Sequence, residues 1–223
     1  WPDAVKLKHG LRRTRVQCTI LRRYGDNSFQ KSLLKLDRGS AMALFDETLV
    51  RVRSNYVEDL SLTSFVAHGT ESLYLSLANQ KFLARHLPAA SAARTSAVAG
   101  LRRTLFEKYW NRPIRSSAEA HRIVDEVCRL AVERIQLPPV AVVLEYVFGG
   151  CNSMDDYSGC LTPDRYGDLN DNIDGRFVGL GVELKGITGQ GMLLVTILPS
   201  SPAELSGLRA GDHVVRIDGV ECR

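Results

Sequence analysis

The sequence predicts an α+β protein, a mainly α-helical N-terminal domain followed by a small β-rich module. Three observations predict it. Between residues 40 and 135 apolar residues return at three- and four-residue steps. From Gly149 onward Gly, Asn and Asp accumulate and the helical period stops. After Phe177 short apolar runs alternate with Gly and Pro, the pattern of strands joined by tight turns. The expected division is a basic lead-in segment (1–38), a helical domain (39–148), a connecting loop region (149–176) and the β-rich module (177–223).

In the lead-in, Val5, Leu7, Val16, Cys18 and Ile20 alternate with other residues, which suits a short strand or two, and Gly25-Asp26-Asn27-Ser28 reads as a turn. Ser40 is placed to cap a helix carrying Ala41, Leu44, Phe45, Leu49 and Val52 on one face. Ser61 or Thr63 starts a second helix with Phe65, Val66, Leu73 and Leu77 inside. The Ala-rich stretch 89–110 gives a third, ended by Pro113. Ser116 and Glu119 have capping-box spacing before a helix that aligns Ile123, Val127, Leu130 and Ile135, and Pro138-Pro139 stops it. The run 140–148, VAVVLEYVF, is rich in β-branched residues, which taken alone favour a strand. One helical turn is expected near Pro163–Leu169.

In the last segment Gly179-Leu180-Gly181-Val182 is a glycine-flanked turn entering a strand. Glycines there allow successive backbone N–H groups to face one concave spot, which suits a carboxylate. Beyond it Val182, Glu183 and Leu184 offer an edge to which an extended peptide can add by main-chain hydrogen bonds. Met192–Leu198 is the next strand. Ser201 caps a short helix with Pro202 at its first position and Gly207 at its end. Val214, Val215 and Ile217 form a further strand, and Asp218-Gly219 a hairpin turn.

The string SPAELSGLRAGDHVVRIDG closely resembles the PDZ domains of bacterial proteases. The stretch before it, LEYVFGGCNSMDDYSGCLTPDRYGDL, resembles the segment that precedes the PDZ domain in carboxyl-terminal processing (tail-specific) serine peptidases. Asp155, Tyr157, Ser158, Leu161, Thr162 and Pro163 keep that pattern, whereas Asp156, Gly159 and Cys160 depart from it. Asn55-Tyr56-Val57-Glu58 is similar to the segment ending the first helix of these enzymes. The resemblance covers roughly residues 40–223. It implies a helix over 140–148. It also implies a PDZ module that is only partial, since a second helix and a closing strand follow in the family. The implied partners are C-terminal segments of protein substrates, held by Gly179, Leu180, Gly181 and Val182 and paired along Glu183 and Leu184. The implied location is periplasmic, cell-envelope or secreted. The family's Ser nucleophile and Lys base belong to a domain after the PDZ, so no catalytic residue is assigned here. Scattered residues such as Ser158 or Lys185 are read as ordinary surface groups. The alternative is a non-enzymatic PDZ adaptor or an inactive peptidase relative. A stress-protease PDZ ranks lower, because nothing in 1–140 resembles a β-barrel protease.

Composition excludes little. The 223 residues suffice for one large or two modest domains, and the charged and apolar fractions are ordinary. Net charge is +4, yet residues 1–38 hold ten Lys and Arg against three Asp, leaving the rest at −3. Such a segment can hold nucleic acid or an acidic membrane surface. No helix-turn-helix or zinc pattern accompanies it, so a solvated, partly extended lead-in is expected and nucleic acid is not. Five cysteines without a C-x-x-C give neither a zinc site nor a disulfide framework. Cys151 and Cys160 can pair in an oxidising compartment, but free, partly buried thiols are the expectation. Asn170-x-Asn172-x-Asp174-Gly175 opens like a calcium loop, yet Gly181 stands where the closing Glu belongs, so no metal or cofactor is expected. The five histidines are dispersed, and Trp1, Tyr109 and Trp110 lack basic-aromatic interleaving. No apolar run is long enough to span a bilayer and no signal peptide is visible. A chain that opens on Trp1 and ends inside a PDZ-like string reads as a fragment, in which missing targeting signals say nothing about location.

Overall fold

The computed structural model describes residues 4–87, 92–155, 158–173 and 179–222. They fall into two compact units, residues 1–164 and 165–223. The architecture is α+β, helical first and then two small antiparallel sheets.

The first unit contains α1 (Ala4–Tyr24), α2 (Asn27–Lys31), α3 (Arg38–Asn55), α4 (Leu62–Ser76), α5 (Gln80–His86), α6 (Ala92–Thr104), α7 (Ser117–Ile135) and α8 (Pro139–Gly150). α8 is its axis, packed against α3, α4 and α7. The β-branched run 140–148 lies in this helix, and every residue from Val140 to Gly150 is buried. A helix apolar on all sides is stable at the centre of a bundle, where packing outweighs a propensity difference of a few tenths of a kcal/mol per residue. Close approach secures it. A Cβ on Gly149 would lie 2.4 Å from the Ser72 Cβ, and one on Gly69 would lie 2.5 Å from the Tyr146 ring.

The strands expected within 5–23 are instead the helix α1, a correction. Val16 and Ile20 are four residues apart, and both are buried against Leu75 on α4, whereas Cys18 between them is exposed. That is helical spacing, read as alternation only because Cys18 is also apolar. The cap of α3 is also corrected. Asp37, not Ser40, is the N-cap: its carboxylate accepts from the Ser40 N–H at 3.0 Å and from the Ser40 hydroxyl at 2.7 Å. A carboxylate is the stronger acceptor at the positive end of a helix.

Ser61 caps α4, and Ser116 caps α7 by accepting from the Glu119 N–H at 3.1 Å. The Glu119 carboxylate accepts in turn from the Arg115 N–H at 3.0 Å. The Ala-rich helix spans Ala92–Thr104 and loosens into a π-turn at Leu105–Tyr109 before Pro113; its expected first residues, 89–91, lie outside the described residues. α9 (Pro163–Ile173) is longer than the single turn expected and takes in Asn170 and Asn172 of the calcium-like string, while Asp174 and Gly175 lie outside the described residues.

The second unit carries β1 (Val182–Ile187), β2 (Gly191–Ile197) and β3 (His213–Val214) in the order β1-β2-β3, all antiparallel. A short helix α10 (Pro202–Leu205) follows β2, capped by Ser201. The strand expected over 214–217 is divided. β3 pairs with β2, β4 (Arg216–Ile217) pairs with β5 (Val220–Glu221), and Val215 between them accepts from the Cys222 N–H at 3.0 Å. Asp218 and Gly219 both have positive φ (49° and 81°), as a two-residue type I′ hairpin turn requires. Among the described residues no helix is long and apolar enough to cross a membrane.

Candidate peptide-binding site

The loop before β1 is fixed from inside the second unit. The Leu180 carbonyl accepts from the Ala203 N–H at 2.9 Å, and the Gly181 carbonyl from the Leu198 N–H at 2.8 Å. Both carbonyls are therefore committed inward. The N–H groups of Leu180 and Gly181 have no acceptor among the described residues. Gly181 has φ +77°, and a Cβ there would meet the Ser201 Cβ at 2.2 Å, so only glycine fits. Gly179 and Leu180 are exposed, Leu180 at 64%. Val182 is half-buried and pairs with Ile197.

Among the described residues β1 pairs on one side only, with β2. Its other edge is open. A β-bulge falls at this point: Glu183 faces Thr196 while Leu184 faces Leu194, leaving Val195 as the extra residue. Bulges raise the local twist and re-aim side chains at sheet edges. The Glu183 carboxylate is used within the sheet, accepting from the Thr196 hydroxyl at 2.9 Å. Successive residues turn their backbone groups to opposite edges, so with Gly181 bonded across to Leu198 it is Val182 and Leu184 whose N–H and C=O face the open edge, while Glu183 faces β2. The four loop residues and the two strand residues are consecutive in sequence and run from the exposed loop into β1.

The motifs that precede this module are anchored in the first unit. The Thr162 hydroxyl donates to Asp26 at 2.6 Å; the Asp164 carboxylate accepts from the Ser28 N–H, and the Ser28 hydroxyl accepts from the Asp164 N–H, each at 3.1 Å. The Leu161-Thr162-Pro163 string is therefore held by the turn between α1 and α2. Tyr56, which closes α3, accepts from the Asp155 N–H at 3.1 Å, so two further motif residues touch.

A second constellation escaped the sequence reading. Arg23 and Glu145, both buried, form an ion pair at 2.6 Å, and the Ser72 hydroxyl donates to the same Glu145 oxygen at 2.6 Å. Arg23 lies over the Phe148 ring at 4.9 Å. The signal was the one charged residue inside VAVVLEYVF, since a carboxylate within an apolar run needs a buried cation. Next to it the Tyr24 hydroxyl and His86 Nε2 are 3.0 Å apart. Burial, then Glu145, holds the Tyr24 phenol well above its usual range, and burial lowers His86 to about 4. Near pH 7 both groups are therefore neutral, and the direction of their hydrogen bond follows the imidazole tautomer.

Cys151 and Cys160 are free thiols in hydrogen-bond contact, which raises Cys151 and lowers Cys160. His68 Nδ1 lies 3.3 Å from the Ser64 hydroxyl, but it also lies 2.8 Å from the Ser64 carbonyl, to which it donates as a helical side chain one turn on. That arrangement leaves no base for Ser64. Among the described residues no three His, Cys, Asp or Glu side chains form a metal-holding group.

Comparison with known proteins points one way. The chain is similar to the carboxyl-terminal-processing protease of Picosynechococcus, 28% identical over 119 residues, covering 52% of this chain and 23% of the relative. It is similar to the chloroplastic C-terminal processing peptidase of Tetradesmus obliquus, 36% identical over 67 residues, 29% of this chain and 14% of the relative. A "probable CtpA-like serine protease" of Staphylococcus haemolyticus is 34% identical over 65 residues, 29% of this chain and 13% of the relative. The matched part spans less than a quarter of each relative's length. No family model matches the chain. No solved structure matches it.

Proposed function

We propose that this chain is the substrate-recognition portion of a carboxyl-terminal processing serine peptidase, with residues 177–223 as part of a PDZ module. A substrate's C-terminal segment adds to the open edge of β1 along Val182 and Leu184, and its carboxylate accepts from the amides of the 179–182 loop. One observation carries the reading: an unpaired strand edge adjoins a loop whose Leu180 and Gly181 carbonyls are bonded inward while their N–H groups have no partner among the described residues. Main-chain pairing supplies affinity, and the amide pocket selects a chain end over an internal segment. Cleavage by a Ser–Lys pair is assigned to a separate catalytic domain, as the resemblance implies.

The test compares fluorescent peptides with free and amidated C-termini. Loss of a charge-assisted hydrogen bond of about 1.5–3 kcal/mol predicts roughly a 10- to 100-fold weaker amide. Equal affinity of the two peptides sinks the carboxylate assignment. The reading also places the protein in the periplasm, the cell envelope or outside the cell. Thiol counting on natively isolated protein checks this, because an oxidising compartment joins Cys151 to Cys160, whereas two free thiols there argue against it.

A further inference from the structure

Helix α1 has two apolar faces, and the peptide reading uses neither. Val16 and Ile20 face inward. On the opposite side Leu7, Leu11, Cys18 and Leu21 recur at steps of four, seven and three, which makes one stripe along the helix. Leu7 is 74% and Leu11 62% exposed, and Cys18 and Leu21 are exposed as well. α1 contains no acidic residue. Arg12 and Arg23 are spent on Glu71 and Glu145, but Arg13 and Arg22 are exposed and make no ion pair among the described residues.

Leu21, at the end of the stripe, also lines a pocket of about 810 Å³ whose other walls carry Lys35, Lys81 and Arg85. None of these three cations makes an ion pair among the described residues, and no acidic side chain lines the pocket. The elements that form it, α1, α2, the 3-10 turn Leu33–Lys35 and α5, contain no Asp or Glu. Asp26, between α1 and α2, is turned to Ser28, Phe29 and Thr162.

An apolar stripe leading into an unneutralised basic pocket is the chemistry of an interfacial surface. We infer that this face of the helical unit docks on an anionic phospholipid membrane, with the Leu7–Leu21 stripe in the headgroup boundary and a lipid phosphate between Lys35, Lys81 and Arg85. Charge complementarity selects this occupant. A cation close to an anionic leaflet strengthens binding about fivefold, and exposed leucines gain by leaving water only where an apolar layer lies beneath the phosphates. A nucleic acid offers the phosphates without that layer.

The full chain is tested by flotation with vesicles of phosphatidylcholine alone and of phosphatidylcholine mixed with phosphatidylglycerol. Binding to the mixed vesicles only, weakening as salt rises, is expected. The triple substitution Lys35→Gln, Lys81→Gln, Arg85→Gln should weaken it on the order of a hundredfold, and Leu11→Ser with Leu21→Ser about tenfold or more. All five positions are exposed, and a thermal melt confirms that each variant folds. If the triple variant melts early, Lys81→Gln alone and the salt series on the unaltered chain decide. Three results overturn the inference: equal binding to both vesicle types, no vesicle binding, or capture of glycerol phosphate or a DNA duplex by a chain that leaves the vesicles alone.

Discussion

In the helical unit eleven consecutive residues of α8, Val140–Gly150, are buried, and aromatic side chains from α2, α3, α4 and α5 close around them. Among the described residues of the β unit the buried apolar side chains are Leu194 and Ala203, while Leu180, Leu205, Val215 and Val220 are more than half exposed. One unit completes its own core, and the other holds its shape through backbone pairing, caps and glycine turns. A three-stranded sheet with one covered side chain is near the lower limit of independent stability. An open edge on such a sheet is a liability unless something pairs with it, which is why its exposure carries functional meaning here.

The largest effect is expected at the buried charge of the helical unit. Glu145→Ala leaves Arg23 buried without a counter-ion and should cost about 3–5 kcal/mol, read from denaturant unfolding. The double substitution Arg23→Met, Glu145→Leu should recover most of that loss. If the single change is harmless, the pair is solvated and the core is not closed.

In the β unit Leu194→Ala should cost about 2–5 kcal/mol, and with so little else buried it should release the amides of 182–197 to hydrogen exchange while α8 stays protected. Loss of protection in both units together would show that the two are not energetically separate. Gly181→Ala forces a Cβ against Ser201 at positive φ and should cost about 1–3 kcal/mol in the same unit. It should abolish any preference for peptides with a free carboxylate.

The smallest effect concerns pH. The folded pKa of His86 lies near 4, below the unfolded value of about 6.5. Between these values the unfolded chain binds more protons, so stability is full above about pH 6.5 and falls as pH drops towards 4. His86→Gln should flatten that part of the stability profile. An unchanged slope would remove His86 as its source.

Much of the fold was legible because local signals and packing agreed. Ser61, Ser116 and Ser201 cap helices as their positions suggested, and Asp218-Gly219 turns the hairpin its φ values demand. Where reading failed, the deciding partner was either distant in sequence or, at α3, a stronger cap three residues away. In α1, Val16 and Ile20 mean helix only once Leu75 is beneath them. In 140–148 propensity alone argued for a strand, but the helix that the resemblance implied is the one observed. Of the site, the loop and strand were readable because glycine spacing and alternation are local. The meeting of Arg23 with Glu145 across 122 residues was not.

Residue order alone showed the caps at Ser61, Ser116 and Ser201, the Asp218-Gly219 turn, and which segment resembles a peptide-binding module. Those properties follow from steric limits and hydrogen bonding within a few residues. Which apolar faces are covered and which charges meet, as Arg23 and Glu145 do, came from the folded arrangement. Burial and charge pairing depend on neighbours that the order of residues does not reveal.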